Sequence, residues 1–317
     1  MASSQIAKDL VYDVGLHNGD DTAFYLHQGF RVIAIDADPR AAAAAKQRFR
    51  SELASERLKI LNVGIAERAG KGTFWICEGL PAWSSFYQKT ASREGQKHYA
   101  IEVETRPFGD ILDEHCVPFY LKIDIEGKDP LCIRDLGGRP LPPFISAEDK
   151  NEDLSEMQAP PILTSLHDAG YSRFKLISQY DFTPELHSDV GAFSKRLLNS
   201  IANGKLRFPG LSTVAKRLTY QDWLLRKHRY QFPRESSGPW GEGTPGKWLS
   251  FEQAKAVHRK ARERHFKRSG VARFSFWCDW HASRDRFAFL VSRVRFQSTR
   301  NAKLGTPNTK SPRGGVI

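Results

Sequence analysis

Apolar positions in the first 185 residues fall into short runs separated by polar, helix-like stretches. Residues 11–14 read as a strand, and Gly15-Leu16-His17-Asn18-Gly19 after them as a turn, since its two glycines tolerate backbone angles that side chains resist. A helix is predicted from about Asp21, capped by Asp20 or Asp21 and stopped by Gly29. Residues 31–35, apolar from Val32 on, read as a strand buried on both faces, and Pro39 opens a second helix through the alanines at 41–45. The pattern continues with strands at 58–63, 72–77, 99–104, 119–125, 144–147 and 173–177. Helices are predicted at 109–115, 130–136 and 161–169. Of these, 119–125 is the most clearly central strand, apolar except for Lys122 and Asp124. Strands alternating with helices at this spacing imply an α/β fold with a mostly parallel sheet covered on both faces.

After Asp181 the rhythm breaks. A Gly/Pro-rich stretch at 236–246 reads as a loop, 255–268 as a basic helix, and 274–280 as an aromatic strand able to return to the sheet. The tail from 298 has the composition of a disordered segment, and no internal repeat is present. The 317 residues carry a net charge of +12, and its distribution is uneven. Residues 1–185 hold 21 Lys+Arg against 28 Asp+Glu, a net of −7, whereas residues 186–317 hold 27 against 8, a net of +19. Cys77, Cys116, Cys132 and Cys278 form no Cys-x-x-Cys, so neither a disulfide framework nor a cysteine metal site is expected. No apolar run approaches the roughly 20 residues that span a bilayer, and residues 1–10 lack the apolar centre of a signal peptide. A cytoplasmic location is the expectation.

The first chemical signal is Asp13-x-Gly15-x-His17-x-Gly19 at the end of the first strand, followed by Asp36 at the end of the second. Ligands of open α/β sheets bind outside the carboxyl ends of the strands, where a carboxylate at Asp36 can accept both ribose hydroxyls of an adenosine. A pyrophosphate, as in NAD, would be repelled by Asp13, Asp20 and Asp21 around the turn. S-adenosylmethionine, with a sulfonium, an ammonium and no phosphate, suits the same carboxylates.

Three segments in order, at 11–22 (VYDVGLHNGDDT), 32–39 (VIAIDADP) and 121–127 (LKIDIEG), resemble the FkbM family of S-adenosylmethionine-dependent methyltransferases. The resemblance covers residues 9 to about 180. It implies a class I, Rossmann-like fold with a seven-stranded sheet whose last strand is antiparallel, and methyl transfer to oxygen, commonly a hydroxyl of a sugar, glycan or polyketide. It places Asp13, Gly15, Asn18 and Gly19 around the methionine end of the cofactor, Thr22 near its carboxylate and Asp36 on the ribose. It also puts residues 62–65, beginning with Asn62, beside the adenine, and Asp124 and Glu126 facing the reacting methyl. His17 stands where many class I methyltransferases have glycine.

Transfer to a hydroxyl needs in-line alignment, exclusion of water and removal of a proton. Candidate bases are Glu126, Glu148, His17 and His281, and Asp124, Glu126 and His281 are the candidate catalytic residues. Asp279 and His281 form a possible carboxylate–histidine pair, but two ligands do not make a metal site, and none is expected. The loop Trp83-Ser84-Ser85-Phe86 either covers the ligand or packs on its own domain, and Trp240 and Trp248 share that ambiguity. The expected organisation is a cofactor-binding core at 1–185, a basic insertion shaping the acceptor site at 186–270, strands returning to the sheet at 271–297 and a tail at 298–317. The expected partner is a small-molecule or glycan acceptor; the basic second half reads as a solvated surface, as attraction to an acidic acceptor, or as a nucleic-acid contact. An RNA methyltransferase and a non-catalytic binding protein on the same fold are the alternatives; no nucleic-acid module is visible in the sequence.

Overall fold

The computed structural model describes residues 5–149, 160–185, 219–233, 236–269 and 276–284, with isolated positions between 194 and 215. Its first half runs β1 (Ile6–Val14), α1 (Asp20–His27), β2 (Arg31–Ile35), α2 (Pro39–Arg48), α3 (Arg50–Ala54), β3 (Leu58–Leu61), β4 (Gly64–Ile65), β5 (Gly70–Cys77), α4 (Gln88–Ala91) and β6 (His98–Arg106). Next come α5 (Phe108–His115), β7 (Val117–Ile123), α6 (Asp129–Arg134), β8 (Phe144–Glu148), α7 (Pro161–Asp168), β9 (Arg173–Ser178) and β10 (Thr183–Pro184). Among the described residues beyond these are α8 (Tyr220–His228), α9 (Phe251–Ser269) and β11 (Cys278–Ser283).

The main sheet has the order β10-β9-β11-β8-β7-β1-β2-β3. The β1, β2, β3, β7 and β8 pairings are parallel, while β11 inserts antiparallel between β8 and β9. The expected antiparallel strand is thus present. The expected count of seven needs correcting to eight, because the chain after β9 turns back and adds the two-residue β10 at the edge. The strands expected at 72–77 and 99–104 leave the main sheet altogether. They pair with each other as β5 and β6, and with β4 form a separate three-stranded sheet. The expected strand 58–63 stops at Leu61 because Asn62 turns its amide onto the carbonyls of Asp36 (2.8 Å) and Ala37 (3.3 Å).

Two side-chain parities divide the main sheet. One face, carrying Tyr12, Val14, Ile33, Ile35, Leu121 and Ile123, is apolar throughout and packs against α5, α6, α7 and the Ala254, Val257 and Ala261 stripe of α9. The expected basic helix is therefore part of the core packing: it buries His258, whose ring bonds Asp149 at 2.7 Å, and Arg262. The other face is mixed. Its β1–β2 side is covered by Leu16 and by Phe24 and Tyr25 of α1, with Tyr230 and Phe232 packed on Phe24, and its β7–β8 side by Trp240 and Trp248 from the insertion. Trp240 stacks on Tyr120 with ring centres 4.4 Å apart and planes 7° from parallel, so both insertion tryptophans pack on their own domain.

Helix α1 is capped by Gly19 at φ 81°, not by Asp20 or Asp21, which occupy the first turn where carboxylates favour the helix dipole. Helix α2 follows its sequence signals closely: Asp38 caps it by accepting the Arg40 N–H, and Pro39 fills the first position. Residues 271–275, 285–297 and the tail 298–317 lie outside the described residues, as does most of 186–218.

Candidate active site

The carboxyl ends of β1, β2 and β7 open onto a cavity of about 330 Å3, walled on its far side by β5 and residues 81–86. That volume lies at the lower end of the range for small-molecule sites. The turn after β1 is clamped from both neighbouring strands. The Gly15 and Leu16 N–H groups donate to the Ile35 carbonyl at 2.9 and 3.1 Å, and the Lys122 ammonium donates to the Gly15 carbonyl at 2.7 Å. Gly15 sits at φ 93°, and a Cβ there would fall 1.8 Å from the Asp124 carbonyl oxygen, so only glycine lets β1 and β7 meet.

Asp36 is positioned from both sides of the turn. Its two oxygens accept the N–H groups of His17 and Asp38, each at 2.8 Å. Burial nevertheless pushes its carboxyl up to about 6, against the lowering effect of those two bonds. Since each carboxylate oxygen can accept more than one hydrogen bond, acceptor capacity remains for hydroxyls. One end of the cavity is an apolar slot of Ala41, Ala44, Val63, Ile65, Phe74 and Phe86. At the other end His17, Asn18, Asp124 and Glu126 line the wall.

Several sequence-predicted residues lie behind this wall. Asp13 is fully buried: its side chain faces away from the cavity, accepts the Thr22 hydroxyl at 2.6 Å and pairs with Lys122 at 3.1 Å. Thr22 is equally buried, so both support the turn without lining the cavity. Strand parity explains this, because Asp13 stands opposite Lys122 in the β1–β7 register and both point into the mixed face. Gly19 is likewise outside the wall and packs against Phe49, and Asn62 acts through the backbone that carries Asp36. In the aromatic loop Ser84 and Phe86 line the cavity, whereas Ser85 donates its hydroxyl to the Glu126 carbonyl at 2.8 Å.

In the sequence Lys122 stands out only as an exception in an apolar strand. Burial opposes its charge, but Asp13, Asp21 and Asp124 outweigh that and hold it above the usual lysine range. Its ammonium lies 3.6 Å from Asp21, which in turn accepts the Ser237 N–H at 2.8 Å. The signal was available in the spacing, since Lys122 and Asp124 are two residues apart and so share a face. A second missed cation is Lys175, buried and donating to the carbonyls of Gly241 (3.2 Å) and Thr244 (3.1 Å) and to the Thr244 hydroxyl (2.9 Å). These bonds fasten the insertion to the sheet.

His281, a candidate base, is only 1% exposed and is not part of the cavity wall. Neither ring nitrogen has a hydrogen-bond partner among the described residues, and burial, with Lys175 nearby, lowers its pKa to about 3. The expected Asp279–His281 hydrogen bond is not formed; the carboxylate–histidine pair among the described residues of this region is Asp149–His258 on the opposite face. Glu126 and Asp124 do meet the cavity, and with Glu148 they bring three carboxylate oxygens within 4.8 Å of one another. Glu126 adopts φ 53°, which a glutamate rarely takes, and forms an ion pair with Arg93 at 3.6 Å.

A model of the methyltransferase FkbM domain matches residues 13–172, half of the chain. The chain belongs to the FkbM methyltransferase family. The matched segment runs from Asp13 through the end of α7, so every residue that lines the cavity falls within the FkbM domain. No curated protein sequence matches the chain. Among solved structures, a chain from the crystal structure of the [4+2]-cyclase SpnF aligns over 89% of this chain and 77% of its own, at 12% identity and a TM-score of 0.32. That likeness is too slight to carry an argument about this FkbM protein. None of its described helices is long and apolar enough to cross a membrane.

Proposed function

We propose that this FkbM protein is an S-adenosylmethionine-dependent O-methyltransferase whose acceptor is a hydroxyl of a carbohydrate, glycan or related secondary metabolite. The observation that carries the reading is the pairing, in one cavity, of the Asp36 carboxylate beside an apolar slot with an acid-lined opposite end. Asp36 would accept the ribose hydroxyls, and Val63, Ile65, Phe74 and Phe86 would enclose the adenine. Asn18 and the Gly15 backbone would border the methionine portion, with Asp124 and Glu126 favouring its positive charges. When bound, the cofactor supplies a methyl on a sulfonium leaving group.

The chain's own task is to align the acceptor hydroxyl, exclude water and take its proton. Glu126 is the base this reading favours, since it lines the cavity and its backbone is held by Ser85, whereas His281 lies outside the wall. Cofactor-binding residues at 1–185 and an acceptor-shaping insertion at 186–270 belong to the same proposal. Burial of His258 and Arg262 withdraws two basic side chains of α9 from any RNA backbone, while Arg259 of the same helix stays exposed.

Calorimetric titration with S-adenosylmethionine, S-adenosylhomocysteine and NAD, repeated on Asp36→Ala, tests the reading. Micromolar binding of the first two, none of NAD and loss of signal in the folded variant is the expected result. Binding of NAD alone, or equal affinity in Asp36→Ala, overturns it.

A further inference from the structure

Three neighbouring strands deliver carboxylates to one point of the mixed sheet face. Asp124 lies two residues beyond Lys122 of β7, and Glu148 two beyond Ser146 of β8, while Lys122 and Ser146 are themselves register partners. Asp279 of β11 stands directly opposite Glu148. By strand parity all three side chains project from the same face, at the acidic end of the cavity. Glu126 reaches the cluster from the loop after β7, and its carboxylate oxygen, with those of Asp124 and Glu148, closes a group spanning less than 4.8 Å.

Asp279 adds an observation of a different kind. It is 94% buried, with only 6% exposure, and its side chain has no hydrogen bond or ion pair to a described residue. Among the described residues no cation pairs with Asp279, and burying an unpaired carboxylate costs free energy, while the neighbouring Glu126 has Arg93 at 3.6 Å. The donors are all carboxylate oxygens, with no sulfur and no imidazole nitrogen among the cluster, which is the ligand chemistry of hard divalent ions rather than of zinc or copper.

We propose that Asp124, Glu126 and Glu148, backed by Asp279, form a binding site for one oxygen-preferring divalent cation of the Mg2+ or Mn2+ class. The ion would take one carboxylate oxygen of Glu126, leaving the other for the acceptor's proton, and would hold oxygen atoms of the acceptor beside the acidic end of the cavity. Its role toward an acceptor rests on the methyltransferase reading; the binding of the ion does not.

The experiment uses the full chain and Mn2+ as the probe, following loss of the free-ion electron paramagnetic resonance signal, with S-adenosylhomocysteine binding measured on the same preparation. One Mn2+ per chain, displaced by Mg2+, is expected. Glu148→Gln, isosteric and outside the cavity wall, should weaken Mn2+ at least tenfold while leaving S-adenosylhomocysteine affinity within twofold. Asp279→Asn should weaken the ion by a smaller factor. Absence of saturable Mn2+ binding to the wild-type chain overturns the site, as does wild-type Mn2+ affinity in folded Glu148→Gln. Mn2+ binding without any S-adenosylhomocysteine binding upholds the site and removes the methyltransferase reading instead, so the two failures are distinguishable.

Discussion

Replacing Lys122 by Met isolates the energetic role of the buried ion network. Lys122 is 3% exposed, and its ammonium pairs with Asp13 at 3.1 Å and Asp21 at 3.6 Å and donates to the Gly15 carbonyl at 2.7 Å. Methionine fills much of the same volume, so little of the loss comes from packing. What remains is a pair of buried carboxylates without their cation, for which removal of one partner typically costs about 3–5 kcal/mol. With an unfolding entropy of roughly 0.6 kcal/mol/K for a chain of this length, about 4 kcal/mol lowers Tm by about 7 °C.

The deficit should also depend on pH in a definite direction. Burial already raises Asp21 to about 6, and loss of Lys122, which lowers it, raises it further. A carboxyl whose folded pKa exceeds its unfolded value binds more protons in the folded state. Its contribution is therefore full below the unfolded pKa and lost as pH rises through the folded pKa. Lys122→Met should lie closest to wild type at pH 5 and furthest below it at pH 8. Differential scanning calorimetry at both values, with Asp21→Asn/Lys122→Met as the compensating double variant, measures this. A loss under 1 kcal/mol, or an equal loss at both pH values, refutes the assignment of Lys122 as the charge that balances Asp13 and Asp21.

Other perturbations follow from the same geometry. Because burial raises Asp36 to about 6, affinity for S-adenosylhomocysteine should fall as pH drops below that value, where the carboxyl gains a proton and loses acceptor strength. Calorimetry from pH 8 to pH 5 should show this decline in the wild type and not in Asp36→Asn, which at pH 8 should bind roughly tenfold to a hundredfold more weakly, given about 1.5–3 kcal/mol for charged hydrogen bonds. Gly15→Ala forces a Cβ onto the Asp124 carbonyl at φ 93°, so it should lower stability by at least about 3 kcal/mol and abolish cofactor binding; wild-type urea unfolding would contradict it. Lys175→Ala removes the three bonds to Gly241 and Thr244, and limited proteolysis should then cut within 236–247 at least several-fold faster; an unchanged pattern would show that the tether is dispensable.

The parts of this molecule that could be read from sequence are those in which a single physical rule dominates. Strand β2 and the stretch through β7 are buried on both faces, so they appear as apolar runs, and Pro39 with Asp38 announces the start of α2. Gly15, Asn18, Asp36, Asp124 and Glu126 could be placed near one cavity because the strand–turn–helix order fixes where strand ends meet. The side-chain directions of Asp13 and Thr22 were not legible, since parity on a short strand decides between facing the cavity and facing Lys122, and the motif alone does not reveal it. Lys175 and His281 were illegible as a buried polar row because their cover comes from the insertion, whose loop conformation follows from tertiary contacts such as Trp240 on Tyr120. The same dependence hid Asp279, which reaches Glu148 only once β11 is seen to lie between β8 and β9.

That placement of β11 governs the order in which the protein can be assembled. Strands β8 and β9 each leave an edge facing the other until Cys278–Ser283 arrives, a hundred positions after β9 ends at Ser178. A chain emerging from the ribosome therefore completes β9 with two unpaired inner edges, and the contact that closes them has among the longest loop-closure distances in the fold. Folding should be slow, limited by this last insertion, and truncation before residue 278 should yield a protein that self-associates through those edges. The carboxylate at Asp279 arrives on the same strand, so the acidic cluster is completed in the step that closes the sheet.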